Sequence, residues 1–139
     1  MGYYYPMMSQ RLFKRAFLVL LVTAVLNWFV SMMYLHWTIW WIDIILHFLG
    51  GLSVALFFLW FCATKFDLKN WSSRKILFAV LGCVILVGVL WELYELYFGL
   101  TFLSDGLSYF ADTFSDLIMD VVGGLTGFLY IQLLLKNNE

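Results

Sequence analysis

The chain has 139 residues, of which 64% are hydrophobic and only 12% charged, whereas soluble domains average about 45–50% apolar and about 25% charged. That composition excludes an ordinary soluble domain and, at about 20 residues per membrane-spanning helix, allows four spans and no large extramembrane catalytic module. A formal net charge of −1 supplies no clustered basic surface, and so no case for nucleic acid as a partner.

The first apolar run, Ala16–Leu35, is charge-free and long enough to cross a hydrocarbon core of roughly 30 Å. It exceeds the h-region of a secretory signal and no small-residue cleavage site comes after it, so it reads as a helix. Ile42–Thr64, Ile76–Phe98 and Phe114–Leu135 are comparable, apart from a few acids and one histidine. Barrel-type alternation is absent, and backbone groups in lipid are satisfied only within helices or a closed barrel. The predicted fold is therefore all-α: a polytopic, four-transmembrane-helix bundle forming a single domain over residues 1–139.

Orientation is set by the basic residues, because short loops rich in Lys and Arg stay in the cytoplasm. Arg11, Lys14 and Arg15 precede the first span; Lys65, Lys69, Arg74 and Lys75 lie between the second and third; Lys136 comes after the fourth. The loops 36–41 and 99–113 contain none. Both termini are thus expected in the cytoplasm, with those two loops outside. Trp37, Trp40 and Trp41 on one side, and Tyr3–Tyr5 with Trp71 on the other, read as interfacial anchors. Cys62 and Cys83 fall in the cytoplasmic halves, where packing is favoured over a disulfide.

Asp43, Glu92, Glu95, Asp105, Asp112, Asp116 and Asp120 gather at the outer ends of spans two to four, leaving only Asp67 and Glu139 on the basic side. Ionisable groups at membrane depth are costly and usually mark a function. Asp43 and His47 are four apart, Glu92 and Glu95 three apart, and Asp112, Asp116 and Asp120 successive fours, so each set shares one helix face. Counted inward from Trp41, Phe98 and Phe114, the residues His47, Glu92 and Asp120 each lie six residues deep, or roughly 9 Å at about 1.5 Å per residue. Asn27 lies at similar depth on the first helix.

No Lys or Arg in any span or outer loop balances these carboxylates. Either several are protonated or cations are bound, and one or two divalent ions balance the charge more fully. Carboxylates with one imidazole suit Mg, Mn, Ca, Fe(II) or Zn. The expected ligands are His47, Glu92, Glu95, Asp116 and Asp120, with Asp112 or Asp43 as a catalytic base. Other roles compete: capping for Asp43 and Asp112 near helix N-termini, a surface turn for Asp105-Gly106, an interfacial hydrogen bond for His36. Gly50, Gly51, Gly123, Gly124 and Gly127 permit close helix approach below the acids. Loop 99–113 reads as interfacial, either passive or a lid.

The patterns Asp43-x-x-x-His47, Trp91-Glu92-x-x-Glu95 and Asp112-Thr113-x-x-Asp116-x-x-x-Asp120-x-x-Gly123 together resemble the YjdF-type inner-membrane proteins and, more loosely, the VanZ-like family associated with glycopeptide resistance. VanZ-like chains commonly carry an amide where Glu95 and Asp120 stand, and an Arg before the last helix that is absent here. The resemblance implies a multi-pass protein of the inner, cytoplasmic membrane and names no reaction.

These residues together point to an integral membrane metal-binding protein with an outward-facing site, acting by metal-dependent hydrolysis or transfer on a lipid-linked or envelope phosphate. The alternatives are divalent-cation binding or transport, for which four helices would need a homo-oligomer, and a non-catalytic structural or interaction protein.

Overall fold

A computed structural model describes residues 4–39 and 41–136. Among them there are four long helices and no strand: α1 Tyr4–Met32, α2 Trp41–Lys65, α3 Ser73–Phe98 and α4 Leu107–Lys136. Each carries a stretch long and apolar enough to cross a membrane, as the sequence predicts. The anchors Trp40 and Tyr3, and Glu139, lie outside the described residues.

Two boundaries differ by seven residues or more from those read by hydropathy, for one reason. Hydropathy marks where the chain enters hydrocarbon, whereas a helix continues until its backbone is broken. α1 therefore begins at Tyr4 rather than near residue 16, carrying Arg11, Lys14 and Arg15 within the helix. α4 begins at Leu107, seven residues before the expected Phe114. The break there is Gly106, whose φ of +61° is outside the range that L side chains readily adopt. It ends a single 3-10 turn over Leu103–Asp105. The expected loop 99–113 thus shrinks to residues 99–106, and its second half becomes the first two turns of α4.

α3 has well-formed ends. Ser72 is extended and its hydroxyl accepts from the Lys75 amide at 3.3 Å, capping the first turn. At the other end Gly99 takes φ +68° and its amide donates to Leu96, while the Leu100 amide donates to the Glu95 carbonyl.

α2 is the hub. Its most extensive contact is with α4, and it also packs on α1 and α3. Glycines make the α2–α4 approach close. A Cβ on Gly51 would collide with the backbone of Asp120, and one on Gly123 with the backbone of Phe48 and Leu52; one on Gly127 would stand 2.7 Å from the Ala55 Cβ. In lipid, where apolar surfaces gain little by leaving solvent, such backbone proximity drives helix association.

The interior divides along the bundle axis. In the half nearest the basic residues, Leu12 and Ala16 of α1, Leu59 of α2, Val80 and Val84 of α3 and Ile131 of α4 belong to one apolar core. A smaller apolar cluster of Val30, Ile42 and Leu46 joins α1 to α2 in the other half. There the remaining buried groups are polar: His47, Glu92, Asp116 and Asp120.

Candidate metal centre

α2 and α4 present the central groups. Asp43, in the first turn of α2, stands one helical turn from His47, so both side chains point along the same face. Asp116 and Asp120 repeat that spacing on α4. The glycine contacts of Gly51 and Gly123 press these two faces together, and three residues converge. Asp43, His47 and Asp116 each offer a ligand atom within 4.8 Å of the others. His47 is 6% exposed and Asp116 2%, while the Asp43 side chain is about a third exposed, at 33%. The cluster is therefore partly exposed on the Asp43 side and buried on the side of His47 and Asp116.

The two ring nitrogens of His47 have different neighbours. Nε2 stands 3.9 Å from Asp116 Oδ2 and Nδ1 stands 3.5 Å from Asp120 Oδ1. A separation of 3.9 Å is too long for a hydrogen bond. It suits two donors sharing an ion about 2.2 Å from each at a bond angle of roughly 125°. If Nε2 held an ion, Asp120 would stand on the side of the ring from which a carboxylate orients a metal-bound imidazole. Room for its carboxylate comes from Gly88 of α3, where a Cβ would lie 2.5 Å from Asp120 Oδ2.

The remaining acids are placed otherwise than expected. Glu92 is buried and tied to α4: the Thr113 hydroxyl donates to its Oε2 at 2.7 Å. Its Oε1 is buried with no hydrogen-bond partner. Glu95 turns along its own helix and accepts from the Trp91 indole at 3.0 Å. Asp112 is exposed at the rim and not in the converging group. As the sixth residue of α4 it lies past the first turn, so the competing reading of Asp112 as that helix's cap does not hold. Asp43 faces His36 at 3.7 Å across the mouth.

Thus, of the residues expected as ligands, His47 and Asp116 converge, Asp120 backs His47, and Glu92 and Glu95 stand outside the three-residue group. Asp43, expected as a base, belongs to that group. Asn27 is half-buried on α1 and is not among the groups these contacts bring together. Two contributors were given no role from sequence, Thr113 being named only within the family pattern and Gly88 not at all. Thr113 falls on the same helical stripe as Asp116 and Asp120, and Gly88 lies one turn before Glu92, so helical spacing from the acids would have found both.

By sequence, every Lys and Arg belongs to the far end of the bundle. Positive charge for the cluster must come from His47, from His36 beside Asp43, or from a bound cation.

No curated protein and no solved structure shows a significant match to this chain. Nothing supports the looser VanZ-like likeness. The family model for the predicted membrane proteins termed DUF2238, which is the YjdF-like family, matches residues 7–137 and so takes in all four spans; the chain belongs to that family.

Proposed function

We propose that this protein binds a divalent cation at the acidic end of its bundle. The observation that carries the reading is the convergence of Asp43, His47 and Asp116 from two helices, two of them buried, with ligand atoms within 4.8 Å. Asp120 at 3.5 Å from His47 Nδ1 supports it as the orienting partner. The mixture of two carboxylates and one imidazole suits Mn, Fe(II) or Zn better than an all-oxygen site would.

The basic end is the cytoplasmic one by the distribution of Lys and Arg, which turns the site outward in the cell membrane. A metal there would act as Lewis acid on a lipid-linked or envelope phosphate, with exposed Asp112 as base. Transport is disfavoured: below Asp120 the α2–α4 seam is closed by Gly51, Gly123 and Gly127, with an apolar core beneath it.

Elemental analysis of protein purified after growth with Mn, Fe and Zn tests the reading. About one equivalent per chain is expected, falling at least tenfold in Asp43→Asn and Asp116→Asn. Metal-free wild-type protein, or variants that retain the ion, would overturn it in favour of a bundle whose acids are simply protonated or paired with a charged His47.

A further inference from the structure

A second feature lies at the opposite end and uses none of the acidic residues. In the basic half a groove runs over α2 between α1 and α3. Its inner part has a volume of about 450 Å³ and is walled by Leu20 of α1, Val54, Phe57 and Phe61 of α2, and Cys83 of α3. It is a shallow depression open along the helix surface rather than an enclosed pocket. Toward the basic end a further hollow of about 250 Å³ is bounded by Ser9, Gln10, Phe13 and Lys14 of α1 together with Trp60. Trp60 lines both, so apolar interior and polar mouth adjoin.

The mouth differs from the wall in chemistry. Lys14 is exposed and makes no ion pair among the described residues, with the Ser9 hydroxyl and the Gln10 amide beside it. Two other cations of this end face aromatic rings instead: Arg15 stands 4.9 Å over the Tyr130 ring and Lys75 4.1 Å over that of Trp71; what singles out Lys14 is its place in the lining of the hollow. From Phe61 to Ser53, the groove's limits on α2, eight residues at about 1.5 Å each give a depth of roughly 12 Å. That is about four fifths of one leaflet's hydrocarbon, taken as half of roughly 30 Å.

We propose that this groove binds one anionic phospholipid from the leaflet at the basic end, its phosphate on Lys14, Ser9 and Gln10 and one acyl chain along the wall to Cys83. The matched sequence of a cationic, hydrogen-bonding mouth and an apolar channel of leaflet depth is what selects a phospholipid. A soluble anion would not use the channel, and a neutral lipid would not use Lys14.

The test uses the full chain in mixed micelles containing equal phosphatidylglycerol and phosphatidylcholine, repurified and assayed for retained lipid by mass. Phosphatidylglycerol should exceed phosphatidylcholine about fivefold, the contribution of about one basic residue near a membrane surface. Lys14→Gln should abolish the preference and Lys136→Gln, equal in charge and outside the groove's lining, should keep it. Leu20→Trp, which fills the channel, should lower retention of both lipids. A monodisperse, fully helical profile confirms that each variant is folded. Equal retention of the two lipids, equal loss in the two lysine variants, or displacement of the lipid by millimolar inorganic phosphate would overturn the proposal. So would a dimer that Leu20→Trp dissociates with no lipid lost, since a second copy would then occupy the groove.

Discussion

Gly88 offers the sharpest test of how the site is held, because it belongs to α3 and supplies no ligand. In Gly88→Ala the new methyl would stand 2.5 Å from Asp120 Oδ2 and 3.0 Å from Leu117 Cδ2, against at least 3.4 Å for ordinary contact. The carboxylate must then retreat by about 0.9 Å. It is the flexible end of a side chain, so the helices need not part, but it also faces His47 Nδ1 at 3.5 Å. A shift of that size is a large fraction of the distance that orients the imidazole. Loss of such an orienting partner typically weakens metal binding by about 10–100-fold. The lower end is expected here, since the carboxylate is displaced rather than removed, and tenfold corresponds to about 1.4 kcal/mol. Competition of Mn or Zn against a fluorescent chelator measures it, with Gly82→Ala as control, because nothing lies within 4 Å of a Cβ there. Wild-type affinity in a stably folded Gly88→Ala protein would refute the role of Asp120 as the group that orients His47.

The same geometry carries three further outcomes. Thr113→Val removes the donor to Glu92 Oε2 and leaves both oxygens of a buried carboxyl without a partner, which should lower stability by about 1–3 kcal/mol; thermal unfolding in detergent reads this, and Thr113→Ser should restore most of it. Metal occupancy should fall on acidification, because protons compete for the imidazole and both carboxylates; a site whose occupancy is flat from neutral to acidic pH is not built on His47. Chelation should leave the helices assembled and lower stability only by the linkage amount, about 2.7 kcal/mol for an ion supplied at 100 times its dissociation constant; collapse of the bundle on chelation would show that the ion, and not the glycine seam, joins α2 to α4.

The helices and their number were legible because lipid imposes so simple a rule: about 20 apolar residues or no span. Their ends were less so. Arg11 to Arg15 are as helical as the apolar run beyond them, yet hydropathy counts them out; the break at Gly106, not the start of the apolar run, sets where α4 begins. The acidic cluster itself was legible from spacing alone, since Asp43/His47 and Asp116/Asp120 each lie one turn apart. Which acids face which was not. It depends on how far each helix is rotated and on side-chain rotamers, so Glu95 could be counted with the site although its carboxylate turns to Trp91 on its own helix. Asp43 could be set aside as a cap or base although the rotation of α2 brings it to His47 and Asp116.

The glycines connect fold to site. A membrane protein gains little from burying Leu against Leu, so the strength of a helix pair rests on how closely backbones approach. Gly51 and Gly123 lie at the level of Asp120, with Gly127 one turn deeper, and each faces the opposite helix of the α2–α4 pair. Any side chain at the first two positions would push apart the helices that carry Asp43, His47 and Asp116. The seam therefore does two things with the same residues. It closes the floor beneath the polar cluster, separating it from the apolar core of Leu59, Val80 and Ile131, and it sets the distance between the helix faces that carry Asp43, His47 and Asp116. On the proposed metal-binding reading, a seam that holds those faces in place would avoid the cost of assembling the ligands at the moment of binding.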